Sequence, residues 1–208
     1  MKSGGRLIHS AALVLGMGLG LCALAPVQAA IAQEITATVR SDTVPREARR
    51  ERLFRFLSQA RTEAEGRSAE FAIWNFWLEA PDNETARLMN EALEHRRRYD
   101  FAGALRVLDD LVERTPDWAE AWNQRATILF ELGEDERALD DVHRVLTFEP
   151  WHFGAMAGQA IILMRQGRFQ TAQSVLRRAV EVHPFLAERS MLVPGPGEIA
   201  PQPGERRL

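Results

Sequence analysis

The chain has 208 residues, 46% of them apolar and 26% charged, with a formal net charge of −3. That profile excludes a wholly disordered chain and a multi-span membrane protein, and it leaves room for one domain with appendages. The mild excess of acids argues against a nucleic-acid partner, which favours a basic face.

The first 29 residues differ from the rest. Lys2 and Arg6 form a positive start, Leu7 to Ala25 is apolar without an acid, and Val27-Gln28-Ala29 fits a small-x-small cleavage site. This reads as a secretory signal peptide over 1–29 and places the mature protein in the periplasm, the alternative being an uncleaved N-terminal helix that anchors it to the membrane. Gly16, Gly18 and Gly20 weaken such a helix. Cys22 sits after a lipobox-like Leu19-Gly20-Leu21, but Leu21 stands where a small residue is needed. Cleavage after Ala29 leaves no cysteine, hence no disulfide and no thiol chemistry. Residues 30–45 lack a period and read as a linker.

From residue 46 to about 190 apolar residues keep helical spacing, and no stretch alternates like a strand. Leu53, Phe54, Leu57 and Ala60 form one stripe. Phe71, Trp74, Trp77 and Leu78 form a second, with a turn expected at Gly66. This pair, 46–80, is expected to cap the N-terminal end of the helical stack with its tryptophans. Residues 191–208 carry four prolines and three glycines and read as a disordered tail.

Between them a period is visible. Pro116, Pro150 and Pro184 lie 34 apart; so do Ala104, Ala138 and Ala172, and Ala92, Ala126 and Ala160; Gly133 and Gly167 add another pair. A 34-residue period with two helices per unit marks tetratricopeptide repeats. Residues 85–118, 119–152 and 153–186 resemble three of them. The middle one is clearest: Trp122, Ala126 and Leu129 hold the large-small-large places, Ala138 the small place of the second helix, and Pro150 closes the unit. It departs at Arg125, where leucine is usual. The stretch is similar to exported bacterial members of unassigned role. The fold implied is all-α: a right-handed solenoid of antiparallel helix pairs, three repeats plus one degenerate N-terminal pair.

A search for chemistry gives little. The four histidines of the mature chain, His95, His143, His152 and His183, fall at four repeat phases and are not expected to converge. Glu134, Asp135 and Glu136, and the pairs Asp109–Asp110 and Asp140–Asp141, read as solvated charge. No phosphate loop or Gly-x-Ser-x-Gly elbow is present. The expectation is a non-catalytic protein without metal, cofactor or small-molecule substrate. Arg96-Arg97-Arg98 reads as the close of a helix, where cations are favoured.

The resemblance implies an inner face built from each repeat's first helix. Carried over by position, it is Met89, Leu93 and Arg96 (with Ala86) in the first repeat. The second gives Glu120, Asn123, Thr127 and Phe130; the third gives Gly154, Ala157, Ile161 and Met164. Gln124 and Arg165 flank it. Such a mixed groove suits an extended peptide or an amphipathic helix, unless the chain's own N-terminal segment or a second copy fills it. The family's clamp for a chaperone's terminal carboxylate is absent, since its places hold Met89, Leu93, Gln124, Gly154 and Gly158. The leading expectation is an exported scaffold that binds a protein or peptide segment, in envelope assembly or localisation. The alternative is a self-associating structural subunit, because the last repeat lacks a long capping helix.

Overall fold

A computed structural model describes residues 44–194. The described residues form eight α-helices and one short 3-10 helix, with no strand among them. They are α1 (Arg46–Gln59), α2 (Glu63–Trp77), α3 (Asn83–Arg97), α4 (Phe101–Arg114), α5 (Ala119–Glu131), α6 (Asp135–Phe148), α7 (Phe153–Arg165) and α8 (Phe169–Val182); the 3-10 helix is Ala187–Met191. None is long and apolar enough to cross a membrane. The signal, most of the linker and residues 195–208 lie outside the described residues.

The 34-residue beat recurs in the helix limits. The helices α4, α6 and α8 start and end in register, as do α5 and α7, and α3 shares their C-terminal limit. Local chemistry fixes these ends. Asp82 caps α3 by accepting from Thr85 N–H at 2.7 Å, and Asp100 caps α4 through Gly103 N–H at 2.9 Å. The Asp82 cap opens α3 two residues ahead of position 85. At the far ends, Thr115, Glu149 and His183 are followed by prolines that cannot continue a helix. Between the helices of each repeat one residue turns left-handed: Gly133 at φ 78°, Gly167 at φ 74°, and in the first repeat Tyr99 at φ 59°. Only Tyr99 carries a Cβ there, which is sterically costly.

Each repeat buries its small residues: Ala92 and Ala104, Ala126 and Ala138, and Ala160 and Ala172 are all at most 5% exposed. Successive pairs pack in chain order, with α4 against α5 and α6 against α7. Arg125 is explained by this stacking. Its guanidinium reaches Asp141 on α6 at 2.7 and 2.8 Å and Asp109 on α4 at 3.0 Å, joining neighbouring pairs where leucine offers only contact.

The N-terminal pair departs from expectation twice. Its turn is at 60–62, not at Gly66. Thr62 caps α2 by accepting from Glu65 N–H, while Glu65 accepts from Arg61 N–H, so the helix starts before the glycine. Gly66 lies inside α2, where a Cβ would stand 2.5 Å from the Phe185 ring; the glycine is there for close approach. Nor do the tryptophans cap the N-terminal end of the stack. Leu53, Phe54 and Leu57 of α1 and Ile73, Trp74 and Trp77 of α2 join one apolar cluster with Phe153, Met156 and Leu176 of the third repeat. Burying a side chain of this size is worth about 1.5–3 kcal/mol, which favours this seat.

Contacts along α2 run in order. The Trp77 carbonyl accepts from Trp118 Nε1–H at 2.9 Å, Trp77 and Trp74 meet His152 and Phe153, and Glu70 stands 3.3 Å from His183. Gly66 then meets Phe185, and Glu63 accepts from Arg189 at 2.5 Å. The helix thus crosses the second and third repeats at their junction loops. Beyond α8 the chain folds back along that helix. Gln173 donates to the Met191 carbonyl at 2.9 Å and accepts from Val193 N–H at 2.7 Å, which orders the first residues of the expected tail.

Candidate binding surface

The eleven inner-face residues separate into a polar centre and two apolar flanks. At the centre, Glu120 is fully buried and its carboxylate gathers three donors. Asn123 Nδ2 donates at 3.1 Å and Gln124 Nε2 at 2.6 Å, and His152 Nε2 stands at 3.2 Å. His152 Nδ1 accepts Ala155 N–H at 3.0 Å, capping α7. That bond fixes the tautomer: the ring proton is on Nε2 and points at Glu120. Arg96 donates to Gln124 Oε1 at 3.3 Å, so a chain of hydrogen bonds runs from the first repeat to the third. Burial pushes the Arg96 guanidinium down, with Glu131 and then Glu120 opposing. Thr127 is buried behind them, its hydroxyl donating to the Asn123 carbonyl at 3.0 Å.

The flanks are apolar. Met89 is buried and Leu93 half-buried in the first repeat's cluster. Gly154 and Ala157 are buried, and Met164 is half-buried against the cluster that includes the N-terminal pair. Ile161 is half-buried beside Phe130. Phe130 itself lies under the Arg165 guanidinium at 3.8 Å, which also donates to the Phe130 carbonyl and pairs with Asp135. None of the eleven is exposed. The structure brings Arg96, Glu120, Asn123 and Thr127 together; Met89 and Met164 belong to separate clusters.

The lid over the polar centre is the N-terminal pair. The Trp77 indole stacks on His152 at 3.8 Å and 9°. His183 packs edge-on against Phe153 at 4.7 Å. Both rings are wholly buried. Trp77, Trp118, Phe148 and Glu149 were not expected at a site; the signal available was that 115–118 and 149–152 are equivalent junctions rich in rings and acids. Among the described residues no group of three or more His, Cys, Asp or Glu is placed to hold a metal ion.

Residues 89–148 match the family model for the tetratricopeptide repeat. A TPR repeat-containing protein of Rhizobium etli is 35% identical over 111 residues, which is 53% of either chain, so the chain spans about half the length of this curated relative. Solved structures similar in part include the yeast Sti1 TPR2B domain in complex with pHsp70, with 19% identity, 47% of this chain and 78% of that one, and TM-score 0.46. MamA gives 11% identity, 74% and 88% coverage, and TM-score 0.46. The Sgt2 TPR domain of Aspergillus fumigatus gives 17%, 50% and 68%, and 0.47. Residues 89–148, which span most of the first two of the 34-residue helix pairs, thus carry the tetratricopeptide-repeat pattern.

Proposed function

We propose that the protein is an exported, non-catalytic scaffold that holds a segment of another protein along the first helices of its repeats, in envelope assembly or localisation. Export rests on the character of residues 1–29. The observation that carries the binding role is the row of half-buried apolar side chains, Leu93, Ile161 and Met164, beside the half-buried Arg96 on those helices. Apolar groups left partly open beside a satisfied polar network suit an extended or helical segment whose side chains complete their burial.

A photocrosslinking residue at Ile161 should yield a discrete adduct with a second protein in envelope extract, and one at the exposed Gln170 of α8 should not. Adducts that form equally at both positions, or at neither, would sink the reading. The alternative, a self-associating subunit, drew on an uncovered C-terminal end. Residues 186–193 fold back along α8, and Arg189 there donates to Glu63 of the N-terminal pair, which weakens the case for a second copy at that end.

A further inference from the structure

Between the N-terminal pair, the segment leading to α3 and the second repeat lies a cleft of about 370 Å³. Trp77, Trp118 and Phe148 form its aromatic walls. Four acids, Glu79, Asp117, Glu120 and Glu149, line it against one base, Arg46. Glu120 is satisfied by the network described above, and Glu79 pairs with Arg46 and Arg49.

Two buried polar atoms on this lining have no hydrogen bond. One is Glu149 Oε2, on a residue 8% exposed; the other is Trp77 Nε1, on a residue 1% exposed. Arg50 stands 3.5 Å from that Glu149 oxygen, close enough for an ion pair but without a hydrogen bond. Asp117 is exposed and pairs with no cation among the described residues.

An under-satisfied carboxylate oxygen beside indole and phenyl faces favours a cationic nitrogen. The rings attract positive charge on their faces, and the oxygen accepts a charge-assisted hydrogen bond. A guanidinium suits this better than an ammonium, because it stacks flat while donating in its own plane. The chain itself uses that combination repeatedly. Arg46 lies over Phe76 with Glu79, Arg50 over Trp151 with Glu149, Arg125 over Trp122 with Asp141, and Arg165 over Phe130 with Asp135. Arg46 is turned toward Phe76, donating to its carbonyl, and leaves Phe148, the most open ring of the lining at 37% exposure, without a cation over it.

We propose that this cleft receives an arginine side chain of the bound protein segment, a point that rests on the protein-binding reading above. The test titrates the full chain with a blocked Ala-Arg-Ala-Arg-Ala peptide and follows the five indole N–H signals by NMR. The signals of Trp77 and Trp118 should move and saturate, while that of Trp122 stays. The citrulline analogue, which keeps the shape and loses the charge, should bind at least about ten-fold more weakly. Asp117→Asn and Glu149→Gln should each weaken binding; Asp117 is exposed, so its variant keeps the fold whatever Glu149→Gln does. An equal response to the citrulline peptide overturns the proposal, as does spermidine matching the arginine peptide. A peptide that moves the Met164 methyl signal and leaves Trp77 unmoved overturns the cleft assignment and spares the groove reading.

Discussion

Arg125→Met is the sharpest probe of how the repeats are joined. The methionine keeps an apolar stem and removes every donor. Asp141 is 3% exposed, and both its oxygens are bonded to Arg125. Burial pushes its carboxyl up, with Arg125 pulling the other way. Without Arg125 the acid has two options. It stays charged and unpaired, at about 3–5 kcal/mol, or it takes up a proton. The proton's cost grows by about 1.36 kcal/mol per pH unit above the usual value of 3.8, reaching about 4 kcal/mol at pH 7. The cheaper route sets the loss, so about 3–4 kcal/mol is expected at pH 7. At pH 5 the proton route costs under about 2 kcal/mol, and the deficit should shrink accordingly. The sign comes from linkage. In the variant the folded-state pKa of Asp141 lies above its unfolded value, so stability is lost as pH rises. Urea unfolding followed by circular dichroism at pH 5 and pH 7 measures both values. Arg125→Met/Asp141→Leu should regain most of the loss. A deficit below about 1 kcal/mol at pH 7, or the same deficit at both pH values, would refute this account of the joint.

Three further outcomes are expected. Tyr99→Gly should raise stability by about 0.5–1 kcal/mol in the same assay, since relief of the left-handed strain exceeds the entropy glycine adds to the unfolded chain. Gly66→Ala should loosen the N-terminal pair despite the better helix propensity of alanine, because the new Cβ meets Phe185 Cδ2 at 2.5 Å and its Cβ at 2.9 Å; amide exchange should quicken over 46–80 and stay unchanged over 101–148. Acid should lower the melting temperature below about pH 4. The Gly103 N–H and then His95 hold the Asp100 carboxyl below its usual range, and hydrogen bonds from Arg189 do the same for Glu63. Stability from such depressed groups is present above their unfolded pKa and lost as pH falls through the folded one, so Asp100→Asn should flatten part of the decline.

The repeats were legible because each is a local unit written three times. Pro116, Pro150 and Pro184 mark helix exits, and Gly133 and Gly167 sit at left-handed turns that favour glycine. Periodicity also identified α1 and α2 as helices, yet could not say where they dock. That choice is made by single, unrepeated contacts far apart in sequence: Trp77 on His152, Gly66 on Phe185, Glu63 with Arg189. For the inner face, register placed Arg96, Glu120 and Asn123 near one another. It was blind to the indole that stacks on His152, whose ring faces Glu120.

The path of α2 gives this protein a property open arrays lack. In a plain solenoid each unit feels only its neighbours, and units are added or deleted with modest effect. Here one 15-residue rod, about 22 Å long, clasps the start of the second repeat and the end of the third at once. That fixed span works like a ruler. A duplicated repeat spliced between these anchor points would carry one of them out of reach, so the clasp holds the number of repeats between its ends at two.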